Sequence, residues 1–159
     1  MHAAPVTPSG NAALLCRRGA LWIALPLALV SETMRPLPLE PMTGMPHFVL
    51  GISVIRGEPV PVVDSATLLG AADATPRAAG RWVVLRVGGR RIALAVEAVE
   101  GIRSLIPDLR APLPSLLRDA GAEVIAQIGV LDAGLLVLLE ATKLLSASDW
   151  LALDRIAPA

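Results

Sequence analysis

The stretch GISVIRGEPVPVVD, residues 51–64, contains two apolar runs separated by a short polar turn. The β-branched residues on either side of Arg56-Gly57 predict two strands of a hairpin, because glycine readily adopts the backbone geometry that reverses a chain. Pro59 and Pro61 interrupt the second strand, and proline cannot donate a hydrogen bond to a β-ladder. We therefore expect this strand to have an open edge where the prolines lie. Arg56 places a charge between two apolar segments, so it needs a partner of opposite charge if it is taken out of water.

Length and composition limit the class of protein. The chain has 159 residues, which suits one domain, and 54% of them are hydrophobic. The formal net charge is zero, and there is no basic stripe, so we expect no binding to nucleic acid. The apolar run at residues 19–30 is interrupted by Pro26 and is shorter than the roughly 20 residues that span a bilayer. We expect a cytoplasmic protein without membrane insertion.

The residue types that carry catalysis or bind metals are scarce. The chain has one cysteine, Cys16, and two histidines, His2 and His47. A nucleophile needs a positioned base, and a zinc site needs several His or Cys ligands. We therefore predict no catalytic residues, no metal site, no cofactor and no enzymatic activity.

Local patterns along the chain predict many short strands. Residues 1–11 are small and Pro-rich and predict a disordered lead. The β-branched runs within residues 82–96 flank a Gly-Gly pair, which is typical of a two-residue hairpin turn. Ser146 and Asp149 have capping-box spacing and predict a helix at the end of the chain. The fold is therefore expected to be mainly β, with little helix before the C-terminus.

An Ala-rich connection at residues 71–80 divides two apolar halves. This division predicts two small barrels, the first over roughly 20–70 and the second over roughly 80–140, within a single domain at 12–159. A single barrel of about eight to ten strands is the alternative.

The opening hairpin resembles the signature of the CheW-like family, the coupling proteins of bacterial chemosensory arrays. The family pattern G-[IV]-x-x-[LI]-R-G-x-x-[IV]-P-[VI]-[IV]-D is matched by residues 51–64. Three further segments are similar to the family in the same order: LPLALVSETMRP, which carries Val30 and Glu32, then IALAVEAVEGI, then LLVLLEATKLL. The resemblance runs from about Ala12 to Ile156.

The resemblance implies a fold and a function. The fold is two small five-stranded SH3-like β-barrels packed together, with short helices and a C-terminal helix. The function is that of a non-enzymatic adaptor, which couples the cytoplasmic tip of chemoreceptors to the regulatory domain of a CheA-type histidine kinase. Such an adaptor serves chemotaxis or a related pathway such as pilus motility. It is cytoplasmic, associated with membrane receptor arrays, and expected to be monomeric alone.

The resemblance also implies site residues. Those that fall near the family's receptor-binding groove between the barrels are Val30, Gly51, Trp82, Val99 and Ile102. Glu32 and Arg56 correspond to an ion pair of the family, and Gly57 to its turn. Because β-branched and aromatic residues in strands more often belong to a core, that interpretation stands beside the receptor-contact one.

Some positions depart from the family pattern, and two other functional classes remain open. Val54 replaces the usual Asn, Ser65 replaces a common Leu, and Glu97 and Glu140 replace Asp. These changes leave the fold intact and are equally compatible with the main chemotaxis coupler and with a paralogue that serves a pilus-motility or other chemosensory pathway. One alternative is a ligand-binding protein or enzyme with a polar cleft between the halves, whereas an adaptor would have an apolar groove. The other is a structural oligomer that pairs through exposed strand edges.

Overall fold

The computed structural model describes residues 12–70, 80–104, 125–131 and 134–156, with only the backbone at 126–130 and at 156. The predicted lead at residues 1–11 and nearly all of the connection at residues 71–80 lie outside the described residues.

The described residues form ten strands and two α-helices. The strands are β1 (Ala12–Arg18), β2 (Leu21–Pro26), β3 (Val30–Met34), β4 (Val49–Ile55), β5 (Glu58–Asp64), β6 (Arg81–Val87), β7 (Arg90–Val96), β8 (Ala98–Ser104), β9 (Ile125–Leu131) and β10 (Gly134–Leu139). The helices are α1 (Ser65–Leu68) and α2 (Ala147–Ile156), with short 3-10 helices at Leu27–Leu29 and Ala141–Lys143.

The strands form two five-stranded sheets, which we call barrel 1 and barrel 2. Barrel 1 has the strand order β3-β6-β7-β5-β4, and barrel 2 has the order β8-β1-β2-β10-β9. This arrangement differs from the expected division into residues 20–70 and 80–140. The first hairpin, β1–β2, joins the late strands in barrel 2, whereas β6–β7 joins the early strands in barrel 1. Each half of the chain therefore contributes a hairpin to the sheet of the other half.

The two barrels are related by an approximate two-fold correspondence. In barrel 1, the central hairpin β6–β7 pairs in parallel with β5 and antiparallel with the edge strand β3. In barrel 2, the central hairpin β1–β2 pairs in parallel with β10 and antiparallel with the edge strand β8. The registers also correspond, since Cys16 lies opposite Val99 in barrel 2 and Leu85 lies opposite Val30 in barrel 1. Positions in one barrel can therefore be compared directly with their equivalents in the other.

The central hairpins are buried on both faces, which accounts for the high hydrophobic content. Alternate residues of a strand point to opposite faces. Along β6, Val83 and Leu85 belong to a core shared between the barrels, whereas Trp82 and Val84 belong to the interior of barrel 1. Along β1, Leu14 and Cys16 face the same shared core, and Ala13 and Leu15 face the interior of barrel 2.

Local sequence signals specify the turns and the start of the C-terminal helix as predicted. Gly88 and Gly89 both have positive φ and connect β6 to β7. Asp64 caps α1, because its carboxylate accepts from the backbone N–H of Thr67. At α2, the predicted capping box is confirmed, with Ser146 and Asp149 each accepting from the other's backbone N–H.

The two prolines of β5 lie where its parallel ladder is missing. The ladder to β7 begins only at Val62, so Pro59 and Pro61 pair with β4 alone. The equivalent of Pro61 in barrel 2 is Val137, which pairs in parallel with Ile23. Because proline lacks the N–H that this ladder needs, barrel 1 opens at this point and barrel 2 does not.

A buried ion pair links the two barrels. Arg18 of β1 places Nη2 3.6 Å from Oδ1 of Asp64 in β5, and their side chains are 9% and 0% exposed. Removing one member of a buried pair typically leaves a charge that water cannot solvate. This pair therefore holds the end of one central hairpin against the other barrel.

We expect Asp64→Ala to lower the free energy of unfolding by about 3–5 kcal/mol, since it removes the buried carboxylate beside Arg18 and the cap of α1. Asp154→Ala is the control, because its carboxylate also pairs with an arginine, Arg90, but at the surface. That variant should change stability little. Urea unfolding of both variants measures the difference, and equal losses would contradict the structural role of Asp64.

We expect Gly51→Ala to cost about 3 kcal/mol, from backbone strain and overlap together. Gly51 has φ near 151°, and a Cβ atom would overlap the carbonyl oxygen of Glu40. Gly57 is the matched control, because its φ is 79° and nothing lies near its missing Cβ. Gly57→Ala should cost only about 1 kcal/mol. Thermal or urea unfolding should rank the two variants in this order.

Candidate protein-interaction site

Glu32 and Arg56 form a two-pronged ion pair at the end of barrel 1. Arg56 donates from Nε to Oε2 of Glu32 at 2.7 Å and from Nη2 to Oε1 at 3.0 Å. The geometry is the parallel fork that arginine makes with a carboxylate. Arg56 and Gly57 form the β4–β5 turn, both with positive φ, as in a type I′ hairpin.

This pair joins strands that lie at opposite edges of the sheet. Glu32 is on β3 and Arg56 follows β4, and these are the first and last strands of barrel 1. The segment after β3 makes two further links to β4. Glu40 and Ile52 exchange backbone hydrogen bonds at 2.8 and 2.9 Å, and Ser53 Oγ donates to the carbonyl of Pro38. Together these contacts close the sheet into a barrel.

Gly51 permits this closure. It is buried on β4, and the chain at Glu40 lies where its side chain would be. The structure thus gives this predicted groove residue an architectural role, which is to let the segment after β3 approach the strand.

The other predicted groove residues divide into core and surface. Val30 and Val99 occupy equivalent positions on the edge strands β3 and β8, where both are half-buried against the shared core. Ile102, also on β8, is 59% exposed. Trp82 is 0% exposed, so its side chain packs in the interior of barrel 1 and does not reach the surface. The presence of a large apolar residue in a strand did not distinguish a buried position from an exposed one.

A ring of charged residues surrounds the end of barrel 1, and sequence reasoning recognised only part of it. Glu58, Arg86 and Arg91 continue the inward-facing positions of β5, β6 and β7 beyond the apolar interior. They join Glu32 and Arg56. The available signal was the alternation along each strand, in which a charged residue lies next in line to two inward-facing apolar residues. We call these five residues the barrel mouth.

A cleft of about 350 Å³ opens beside the barrel mouth. It lies where β5 and β7 separate, and α2 forms its other wall with Trp150 and Leu153. Arg90 holds this helix in place, since it forms two hydrogen bonds with Asp154 and stacks 4.9 Å from the centre of the Trp150 ring. Among the described residues this space belongs to barrel 1 and α2, whereas the ligand-binding alternative required a polar cleft between the two halves.

The described residues contain no group of three or more His, Cys, Asp and Glu side chains that could hold a metal ion. Burial raises the pKa of the Cys16 thiol to about 12. A thiol that stays protonated at neutral pH is a poor nucleophile. No helix within the described ranges has the length and apolar character needed to cross a membrane.

The hydrogen bonds from Arg56 lower the pKa of Glu32 below its ordinary value of 4.5, with smaller contributions from the charges of Arg56 and Arg91. The stabilisation from this pair is therefore present above pH 4.5 and is lost as the pH falls through the lowered pKa. We expect an NMR titration of the Glu32 carboxyl carbon to give a midpoint below 4.5. In Arg56→Ala the midpoint should rise. A midpoint that does not respond to this variant would show that the pair does not persist in solution.

Comparison with known proteins agrees with this fold. The family model described as a CheW-like domain matches residues 12–149. The probable chemotaxis protein CheW of Rhizobium etli is 30% identical over 112 residues, which cover 69% of this chain and 72% of that protein. The chemotaxis protein CheW of Klebsiella aerogenes is 26% identical over 112 residues, which cover 70% of this chain and 68% of that protein.

A solved structure shows the same fold. The crystal structure of the scaffolding protein TtCheW from Thermoanaerobacter tengcongensis superposes with a TM-score of 0.72 at 17% identity, covering 89% of this chain and 96% of that one. The matched family model, the sequence relatives and the two exchanged five-stranded barrels lead to one conclusion: the chain belongs to the CheW-like family.

Proposed function

We propose that this protein is a non-enzymatic adaptor that couples chemoreceptors to a CheA-type histidine kinase in a bacterial chemosensory array. Family membership supports the adaptor role, since the relatives are named as chemotaxis proteins and the solved neighbour as a scaffolding protein. The array would direct chemotaxis or a related output such as pilus motility. The adaptor itself would be cytoplasmic, recruited to membrane receptors, and monomeric alone.

The observation that carries the receptor part is the presence of three apolar residues on the equivalent edge strands β3 and β8. Val30 and Val99 are half-buried against the shared core, and Ile102, also on β8, is 59% exposed. An amphipathic helix binds by placing its apolar face against such a surface. The cytoplasmic tip of a receptor, a helical hairpin in this family, would present that face.

The kinase part of the proposal rests on the end of barrel 1. Glu32 and Arg56 hold the β4–β5 turn against β3, and the turn is exposed to solvent. Next to it, Val54 is 65% exposed and lies opposite Pro59, so an apolar spot adjoins the ion pair. The kinase regulatory domain, which has the same fold in this family, would contact this end.

We expect Arg56→Ala to weaken binding of the kinase regulatory domain by about tenfold or more, because the turn loses two charge-assisted hydrogen bonds that order it. Stability should change little, since the side chain that is removed, Arg56, is 69% exposed. Ile102→Asp should instead weaken binding of a receptor cytoplasmic fragment and leave kinase binding intact. Titration calorimetry measures the affinity of each variant for the kinase regulatory domain and for the receptor fragment, both taken from the organism that encodes this protein.

Arg17→Ala is the control for loss of a surface arginine pair, because it breaks the pair with Glu100 in barrel 2, away from the β4–β5 turn and from the cleft. It should bind the kinase regulatory domain as the native protein does. If Arg56→Ala changes neither stability nor binding, the ion pair has no role in the adaptor. If the native protein binds neither a receptor nor a kinase, the adaptor function itself is wrong.

A further inference from the structure

Two arginines face each other at the barrel mouth. Arg86 of β6 and Arg91 of β7 are direct partners in the antiparallel register, one pair beyond the residues that flank the Gly88-Gly89 turn. In a two-residue hairpin, this position is a non-hydrogen-bonded pair, in which side chains come especially close. Both arginines lie on the inward face that Val84 and Ala93 occupy one layer deeper. Like charges directly opposite each other destabilise a sheet.

The carboxylates nearby leave this charge incompletely balanced. Glu32 is already engaged by Arg56 through both of its oxygens. Glu58 approaches Arg91 only to 4.0 Å, and its side chain is 63% exposed. Within the described parts of the chain, Arg86 has no carboxylate partner, and Nη1 of Arg91 is buried without a hydrogen bond. The mouth therefore has three arginines, two glutamates and an unused hydrogen-bond donor.

The equivalent pair in barrel 2 shows that the fold does not require this arrangement. There, Arg17 lies opposite Trp22 in the same register position, and its guanidinium stacks 5.1 Å from the centre of the indole ring. Glu100 adds an ion pair to Arg17 at 3.7 Å. The aromatic ring and the carboxylate both stabilise the positive charge of Arg17, so this charge is balanced within the barrel. Only barrel 1 places a second arginine where barrel 2 has tryptophan.

Space for an incoming group exists next to Arg91, one member of the pair. Arg91 and Glu58 both line the cleft of about 350 Å³ that opens where β5 and β7 separate. Glu58 can be displaced readily, because its side chain is 63% exposed and its carboxylate lies 4.0 Å from Arg91, the longest distance at which an ion pair forms. A carboxylate is planar and accepts two hydrogen bonds, which matches the guanidinium fork of each arginine.

We infer that Arg86 and Arg91 bind the carboxylate of an acidic side chain presented by a partner protein. The inference rests on the proposed adaptor function, which supplies a protein partner at this end of barrel 1. The carboxylate replaces Glu58 beside Arg91 and neutralises the excess positive charge. The arginine pair thereby selects a partner with Asp or Glu at the contact.

The binding chemistry can be tested without knowing the partner. The probe is N-acetyl-glutamate amide, and its matched control is N-acetyl-glutamine amide, which has the same shape without the charge. We expect the acid to shift the ¹⁵N side-chain signals of Arg86 and Arg91 in the full-length protein, with saturation at millimolar concentration. The amide probe should leave them unchanged. Equal shifts from both probes, shifts at all arginines alike or no shifts would each overturn the inference.

Three variants locate the site. Arg86→Gln and Arg91→Gln should each abolish the saturable response, whereas Arg17→Gln, the equivalent position in barrel 2, should retain it. Circular dichroism and thermal unfolding establish that each variant is folded. Because Arg86 is exposed, its variant stays informative even if the Arg91 variant is unstable. A response that survives Arg86→Gln in full would overturn the role of the pair.

The same variants separate this inference from the adaptor function. With the kinase regulatory domain as partner, Arg86→Gln and Arg91→Gln should bind about tenfold to a hundredfold more weakly, and Arg17→Gln should bind normally. If the kinase domain binds the native protein and all variants equally, the acidic-contact inference fails and the adaptor function stands. If the arginines respond to the acid but no kinase domain or receptor binds, the adaptor function fails and the carboxylate site stands.

Discussion

Both faces of the two central hairpins are buried, and the rest of the structure depends on this double burial. Along β6 and β7, residues alternate between the shared core and the interior of barrel 1, and β1 and β2 do the same for barrel 2. Each fully buried aliphatic side chain contributes about 1.5–3 kcal/mol. A hairpin buried in this way needs neighbours at both of its edges. Strands from both halves of the chain supply them, so the barrels exchange hairpins and share one core.

Where the apolar layers end, charged residues begin, and there the two barrels differ. Barrel 2 ends in a cation–π pair, Arg17 over Trp22, next to an acid. Barrel 1 ends in a ring of three arginines and two glutamates, one pair of which fastens its edge strands together. At equivalent positions, barrel 2 thus has Arg17 stacked on Trp22, whereas barrel 1 has Arg86 opposite Arg91, whose guanidinium groups can donate hydrogen bonds to a partner. The prolines of β5 add to this difference: a cleft opens beside the ring where their ladder to β7 is missing, whereas Val137, at the equivalent position of barrel 2, is paired with β2.

Much of the local structure could be predicted from the sequence. The turns at Arg56-Gly57 and Gly88-Gly89 occur at the positions that the glycines predicted. Asp64, a common helix-capping residue, caps the short helix that follows β5. The fold class was accessible through four family-like segments, of which the hairpin at residues 51–64 is the most specific. The structure also places Glu32 and Arg56 in contact. Their role in binding remains a proposal.

The burial of individual strand residues could not be predicted from sequence patterns. Trp82 and Ile102 are both large apolar residues in strands, yet one is completely buried and the other mostly exposed. The difference arises because β6 is a central strand and β8 an edge strand, which depends on pairings between distant segments. Gly51 resembled a contact residue, but its position is explained by the chain at Glu40, eleven residues away along the sequence and adjacent in space.

The sequence by itself determined the turns, the helix caps, the alternation of apolar residues and the membership of a β-barrel family, because each of these depends on neighbouring residues or on a continuous motif. Only the tertiary structure decided which hairpin enters which barrel, since the parallel pairings of β2 with β10 and of β5 with β7 join strands that no local signal connects. It also decided that Arg86 and Arg91 face each other across β6 and β7. Charge balance at a barrel mouth is set by register across strands, and register is set by the burial of the cores beneath it.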